Sequence, residues 1–272
     1  SVGYISTEGS NALDNLSYTL PLNPRNGTLT LSHSRSQSQI IERPFDILDI
    51  TAIAPSYQLT YRQPVWQTPT TELALGLTAS WQQSQTFLGL DNIGGFPFAP
   101  GADLEGRTTA TALRLVQEYS QRSDRDVLAL RSQFSLGLEA LGATRNPQPP
   151  DSRFFSWRGQ AQYLRLLAPE TLLLLRLEGQ RADRPLLPFE QFALGGVGTV
   201  RGNRQDVLLA DSGVLASAEV RLPVLQVPAW QAVLQVAPFF DFGTVWNRSQ
   251  LELATPTISS LGLGLRFRAW ER

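Results

Sequence analysis

Two stretches of this chain hold residue types able to make a strong, geometrically defined bond between distant positions. The first, Phe189-Glu190-Gln191-Phe192-Ala193-Leu194-Gly195-Gly196-Val197-Gly198-Thr199-Val200-Arg201-Gly202-Asn203-Arg204-Gln205-Asp206, carries a guanidinium on a glycine-rich segment. The second, Phe239-Phe240-Asp241-Phe242-Gly243, carries a carboxylate on an alternating one. A guanidinium and a carboxylate can meet through two parallel charge-assisted hydrogen bonds, a fork that an ammonium does not reproduce. Glu219, in Ser217-Ala218-Glu219-Val220-Arg221-Leu222-Pro223, is a second acid able to share or compete for Arg201.

Other chemistry is scarce. His33 is the only histidine, and no Gly-x-Ser-x-Gly elbow accompanies it, so a Ser-His-Asp hydrolase has nothing to stand on. Cysteine and lysine are absent, which removes thiolate zinc sites, disulfides and a Walker lysine. Gly196-Val197-Gly198 followed by Gly202 has one residue too many for a dinucleotide fingerprint. Asp103 and Glu105 could touch calcium, but two loop carboxylates are ordinarily just solvated. No cofactor, metal or catalytic residue is assigned. With a formal net charge of −1, nothing argues for nucleic-acid binding.

The elements that must position the arginine and the aspartate are strands. From Asp126 to Leu141, Leu128, Leu130, Phe134, Leu136 and Leu138 share one face, while Arg131, Gln133, Ser135, Gly137 and Glu139 share the other. The same split sets Leu73, Leu75, Leu77, Ala79 and Trp81 against Glu72, Ala74, Gly76, Thr78, Ser80 and Gln82. About eleven such strands are predicted, near 14–22, 27–39, 56–66, 71–87, 107–122, 126–141, 153–167, 171–182, 213–223, 231–246 and 257–270. Short turns such as 23–27 and 168–170 alternate with long connections near 40–55, 88–106, 142–152, 183–212 and 247–256.

A soluble β-sandwich alternates too. Two features favour a membrane barrel instead: many segments reach the roughly 9–11 residues a tilted strand needs to cross a bilayer, and Trp66, Trp157, Trp230 and Trp246 gather at segment ends, where a lipid interface would lie. The polar face would then line a wet lumen. It holds Arg62, Arg114, Arg131, Arg158, Arg176, Arg221, Arg266 and Arg268 among Glu72, Glu118, Glu139, Glu178, Glu219 and Asp241. Segment 183–212 is too long for a structureless connection, and its Phe189, Phe192, Leu194, Val197 and Val200 can pack, so it is expected to fold inward with Arg201 at its tip. Asp241 shares a face with Gln235, Phe239 and Gly243, opposite Leu234, Val236, Phe240 and Phe242, and should point into the lumen.

In these two stretches, and in Tyr61-Arg62-Gln63-Pro64 and Trp157-Arg158-Gly159-Gln160-Ala161-Gln162, the chain resembles the two-partner-secretion transporters of the ShlB/FhaC/HecB haemolysin secretion/activation family, part of the BamA-like barrel superfamily. The resemblance implies an all-β, antiparallel transmembrane β-barrel of about sixteen strands when complete, of which this chain covers about eleven, with a long inward-folded loop. It implies a contact of Arg201 with Asp241, and site roles for Val200, Gly202, Glu219, Phe239 and Gly243. The implied organisation is residues 1–272 as a partial outer-membrane barrel domain, with periplasmic POTRA modules and the first and last barrel strands outside it, and 183–212 as the lumen loop. Ser1 to Ser10 correspondingly read as the continuation of a longer chain.

The implied function is export of a secreted exoprotein across the outer membrane of a Gram-negative-type bacterium, in contact with outer-membrane lipids. One departure stands out: the family has an aromatic residue after Arg-Gly, expected to pack on the inner wall, where this chain has Asn203. A BamA-type assembly factor, which shares the Val-Arg-Gly loop and the Phe-x-Asp-x-Gly strand, is the alternative, and a porin-like structural barrel a second. Whether the Arg201 contact gates the pore or only anchors the loop is open at this level.

Overall fold

A computed structural model describes residues 2–3, 10–39, 45–90, 94–227, 232–248 and 256–268. The strands are β1 Val2–Gly3, β2 Ser10–Pro21, β3 Thr28–Gln39, β4 Ile50–Gln67, β5 Thr71–Leu88, β6 Gly94–Gly95, β7 Arg107–Arg122, β8 Asp126–Leu138, β9 Phe155–Ala168, β10 Thr171–Ala182, β11 Phe192–Leu194, β12 Leu208–Ala210, β13 Ser212–Val227, β14 Ala232–Trp246 and β15 Thr257–Arg268. All eleven expected strands are present. Four short ones join them: β1 and β6 extend the main sheet, and β11 and β12 form a small hairpin inside the long loop.

The large sheet is an up-and-down meander. Its order is β1-β2-β3-β4-β5-β7-β8-β9-β10-β13-β14-β15, every neighbour antiparallel, with β6 on β5 and no pairing of β15 back to β1 or β2 among the described residues. Hairpins close on one rim through tight turns, with Asn26 at φ 60° and Glu170 at φ 58° where the chain reverses. Long connections occupy the other rim.

Side-chain exposure is inverted relative to a water-soluble protein. On β5, Leu73, Leu75 and Leu77 are exposed while Ala74, Thr78 and Ser80 are buried. On β10, Leu175 and Leu177 are exposed while Glu178 and Gln180 are buried; on β14, Phe240 and Phe242 are exposed and Asp241 has no exposed surface. Among the described residues no second layer covers the apolar faces, so the sandwich alternative fails. A continuous apolar outer surface of this extent is stable only where the surrounding solvent is itself apolar.

Several boundaries differ from the sequence expectation: β2 begins at Ser10 and β13 runs on to Val227, each four residues beyond the expected limit, and two others have visible causes. β4 begins at Ile50, six residues earlier than expected, because Thr51 to Ile53 pair with Gln85 to Phe87 of an equally long β5. β8 stops at Leu138, and Leu141 and Gly142 turn with φ 53° and 75°. The chain there is drawn sideways by Thr111 Oγ1 donating to Ala140 O (2.8 Å) and Trp81 Nε1 donating to Leu141 O (3.1 Å). Glu139 consequently leaves the wall and meets Arg145 (3.1 Å) and Arg153 (3.3 Å) on the long-loop rim. Trp66, Trp157 and Trp246 lie at strand ends with outward, partly exposed rings, whereas Trp230 is outside the described residues.

Candidate functional site

Residues 183–211 lie against the inner face of the sheet. Leucine, valine and phenylalanine side chains of the loop bury themselves there: Phe192, Leu194, Val200 and Ala210 pack with Leu215 of β13 and Val245 of β14. The path needs glycine at particular points. Gly195 and Gly196 have φ 113° and 89°, in the left-handed region that side chains disfavour. Thr199 Oγ1 closes this turn by accepting from Gly195 N (2.8 Å) and donating to Gly195 O (2.7 Å). On the wall, Gly243 leaves the room that Leu194 fills, since a Cβ there would fall 2.6 Å from Leu194 Cδ1.

The tip arginine sits in a cluster of acids. Arg201 Nε donates to Asp241 Oδ2 and Nη2 to Asp241 Oδ1, both at 2.8 Å, and the Arg201 backbone N–H adds a bond of 3.1 Å to Oδ2. Arg201 Nη1 also bonds Glu219, so the two acids share the arginine. Ser217 Oγ donates to Asp241 Oδ1 at 2.6 Å. Arg221 Nε holds the other oxygen of Glu219 at 2.8 Å, with Arg266 3.8 Å away. The guanidinium lies 3.6 Å from the centroid of the Phe239 ring, a cation–π stack.

These bonds, chiefly that to Asp241, hold Arg201 above the already high pKa of an ordinary arginine, although burial opposes the charge. Its charge is therefore permanent at physiological pH. Such a network can lock a segment in place or release it.

The structure brings Val200, Arg201, Glu219, Phe239, Asp241 and Gly243 into one cluster. Gly202 does not touch the acids; with φ 80° it turns the chain beyond the tip. Asn203 makes a local bond, Nδ2 to Val200 O at 3.3 Å, and the loop is docked although this position carries no aromatic residue.

Sequence reasoning assigned no partner to two further anchors. Glu190, within the long motif, takes a two-pronged bond from Arg114 of β7, at 2.5 and 3.1 Å, across 76 residues of sequence. Asp211, 1% exposed at the loop's end, accepts from the backbone N–H groups of Leu186 and Arg248, each at 2.8 Å. Arg114 did stand among the expected lumen charges, but nothing in its spacing points to Glu190. Facing the loop base is a polar cavity of about 420 Å³, lined by Arg62, Glu118, Arg131, Gln133, Arg158 and Phe189 among others. No group of residues among those described could hold a metal ion.

Over residues 5–267 the sequence matches the family of haemolysin secretion/activation proteins ShlB/FhaC/HecB. No curated protein sequence matches the chain. Among solved structures, CdiB from Escherichia coli is similar with a TM-score of 0.75 at 18% identity, over 95% of this chain and 47% of that one. CdiB from Acinetobacter baumannii gives 0.68 at 19%, over 96% and 44%. BamA from Haemophilus ducreyi lacking POTRA domains 1–3 gives 0.58 at 14%, over 88% and 50%. This chain spans about half the length of these structures.

Proposed function

Since this chain belongs to the haemolysin secretion/activation family ShlB/FhaC/HecB, we propose that it forms the barrel wall of an outer-membrane pore that exports an unfolded partner exoprotein in two-partner secretion. The observation that carries this reading is the Arg201 loop held on the charged inner face of a sheet whose outer face is apolar. Lipid acyl chains cover the leucines and phenylalanines outside. Inside, a wall with both signs of charge, such as Arg62 with Glu118 at 2.9 Å and Arg114 with Glu190, solvates a passing polypeptide without trapping either kind of side chain. The chain acts as a conduit and performs no covalent step. Residues 183–211 lie in the path, so the loop shifts to admit cargo, and Arg201 with Asp241 and Glu219 sets how firmly it is held.

The test is genetic. Deleting the gene in its native host should remove one large polypeptide from the medium or cell surface and leave other outer-membrane proteins at normal levels. A general loss of outer-membrane barrels would point instead to an assembly factor of the BamA type. No change in either would overturn the secretion reading.

A further inference from the structure

The tip of the loop holds β13 and β14, but its base grips a different sector of the wall. Glu190 lies at the end of a short 3-10 turn, Pro188–Glu190, and is bonded by Arg114 through both terminal nitrogens. The remaining reach of Arg114 is also used: Nε donates to Ser80 Oγ of β5 at 3.2 Å, and Nη1 to Ser135 Oγ of β8 at 3.0 Å. The Glu190 backbone carbonyl accepts from Gln180 Nε2 of β10 at 2.9 Å. Arg114 and Glu190 are well enclosed, their side chains 16% and 8% exposed.

In the sheet order β7 is three strands from β10, from which the loop departs. Three strand spacings make roughly 14 Å, so the base reaches well across the wall in the direction opposite to the tip. The loop thus lies over β8, β9 and β10 like a strut fixed at both ends. Arg158 of β9 stacks over Phe192 at 5.5 Å, and Arg176 of β10 bonds Gly198 O between the two anchors.

The geometry points to the Arg114–Glu190 bond as a second, independent latch that positions the loop, and about which the loop pivots when the tip alone lets go. Freeing Arg201 therefore swings the tip while the base stays on β7; full clearance of the lumen needs both latches open. The pairing suits a hinge because a buried two-pronged ion pair is lost all at once when one partner goes. Arg114 and Glu190 are positioning residues for transport. This inference rests on the secretion reading, but its readout needs no cargo.

The experiment uses the full-length protein in liposomes, with any cysteines elsewhere replaced. Leu187→Cys reports on the base, because Leu187 is fully buried and the described sequence has no cysteine. Val197→Cys, at an 89% exposed position, controls for access of a membrane-impermeant thiol reagent to the lumen. In the Leu187→Cys background, Glu190→Gln should speed labelling about tenfold, the effect of weakening one charge-assisted bond. Arg201→Ala should leave that rate near the parent's. Combining the two should add a conductance level larger than either single variant shows.

If Glu190→Gln assembles poorly, Arg114→Lys serves in its place, since an ammonium retains the charge and loses the fork. Labelling and conductance of Glu190→Gln or Arg114→Lys equal to the parent's would overturn the second latch. So would release of the base by Arg201→Ala alone. Because none of these readouts depends on export, an intact latch in a protein that secretes nothing would count against the function and leave the latch standing.

Discussion

A carboxylate without exposed surface keeps its charge only if bonds replace its lost water. Asp241 meets that demand with three donors from Arg201, one from Ser217 and a longer one from Ser260 at 3.5 Å, whereas Glu219 receives single bonds from Arg201 and Arg221. Their contributions to loop docking should differ accordingly. Asp241→Asn is expected to weaken docking by about 3–5 kcal/mol, since it strips the fork and leaves Arg201 half-paired inside. Glu219→Gln should cost about 1–3 kcal/mol, because Arg201 keeps all three bonds to Asp241. Limited proteolysis of the loop in the purified full-length protein measures both. Equal protection in the two variants would refute the division of roles. Alkaline pH supplies no shortcut: with its pKa raised in the folded state, the contribution of Arg201 is complete below the ordinary arginine range and persists throughout physiological pH.

At the level of single strands, the alternation that would build a sandwich core in water here turns its apolar side outward. Leu59 and Gln58 of β4 are adjacent and face opposite ways, one among exposed apolar residues and the other lining the polar cavity. Placing the same charge at each position separates the two solvents. Leu59→Arg should destabilise the folded barrel by about 2–4 kcal/mol if it lies near the bilayer midplane, while Gln58→Arg should stay within about 0.5 kcal/mol of the parent. Urea titration in liposomes, followed by heat-modifiable gel mobility, reads the difference. A large cost at Gln58 with none at Leu59 would reverse the assignment of faces.

The whole molecule has two rims, and three of its tryptophans mark them. Trp66, 64% exposed, closes β4 on the short-turn side, and Trp157 and Trp246, each 39% exposed, sit on the long-loop side. Amphipathic indoles prefer the headgroup region of a bilayer. In variants retaining one of these tryptophans at a time, lipids brominated near the headgroup should quench emission more than lipids brominated at the chain ends. Stronger quenching from the chain ends would mean that the strands lie deeper or tilt differently than the two-rimmed arrangement requires.

The eleven strands, their faces and the alternation of short and long connections were legible in the sequence, because side chains on a strand repeat every two residues and a local pattern suffices to display it. Residue types also marked Arg201, Glu219 and Asp241 as able to bond. Which side of the ribbon meets solvent was not legible from period alone, since a sandwich and a barrel share it; the exposure of Leu73, Leu75 and Leu77 over buried Thr78 and Ser80 decided it. Nor could spacing place Glu190 on Arg114, or Asp211 under Leu186 and Arg248. Those contacts depend on where a loop of 29 residues, 183–211, comes to rest across strands three positions apart in the sheet, and that is fixed by the register and curl of the whole wall.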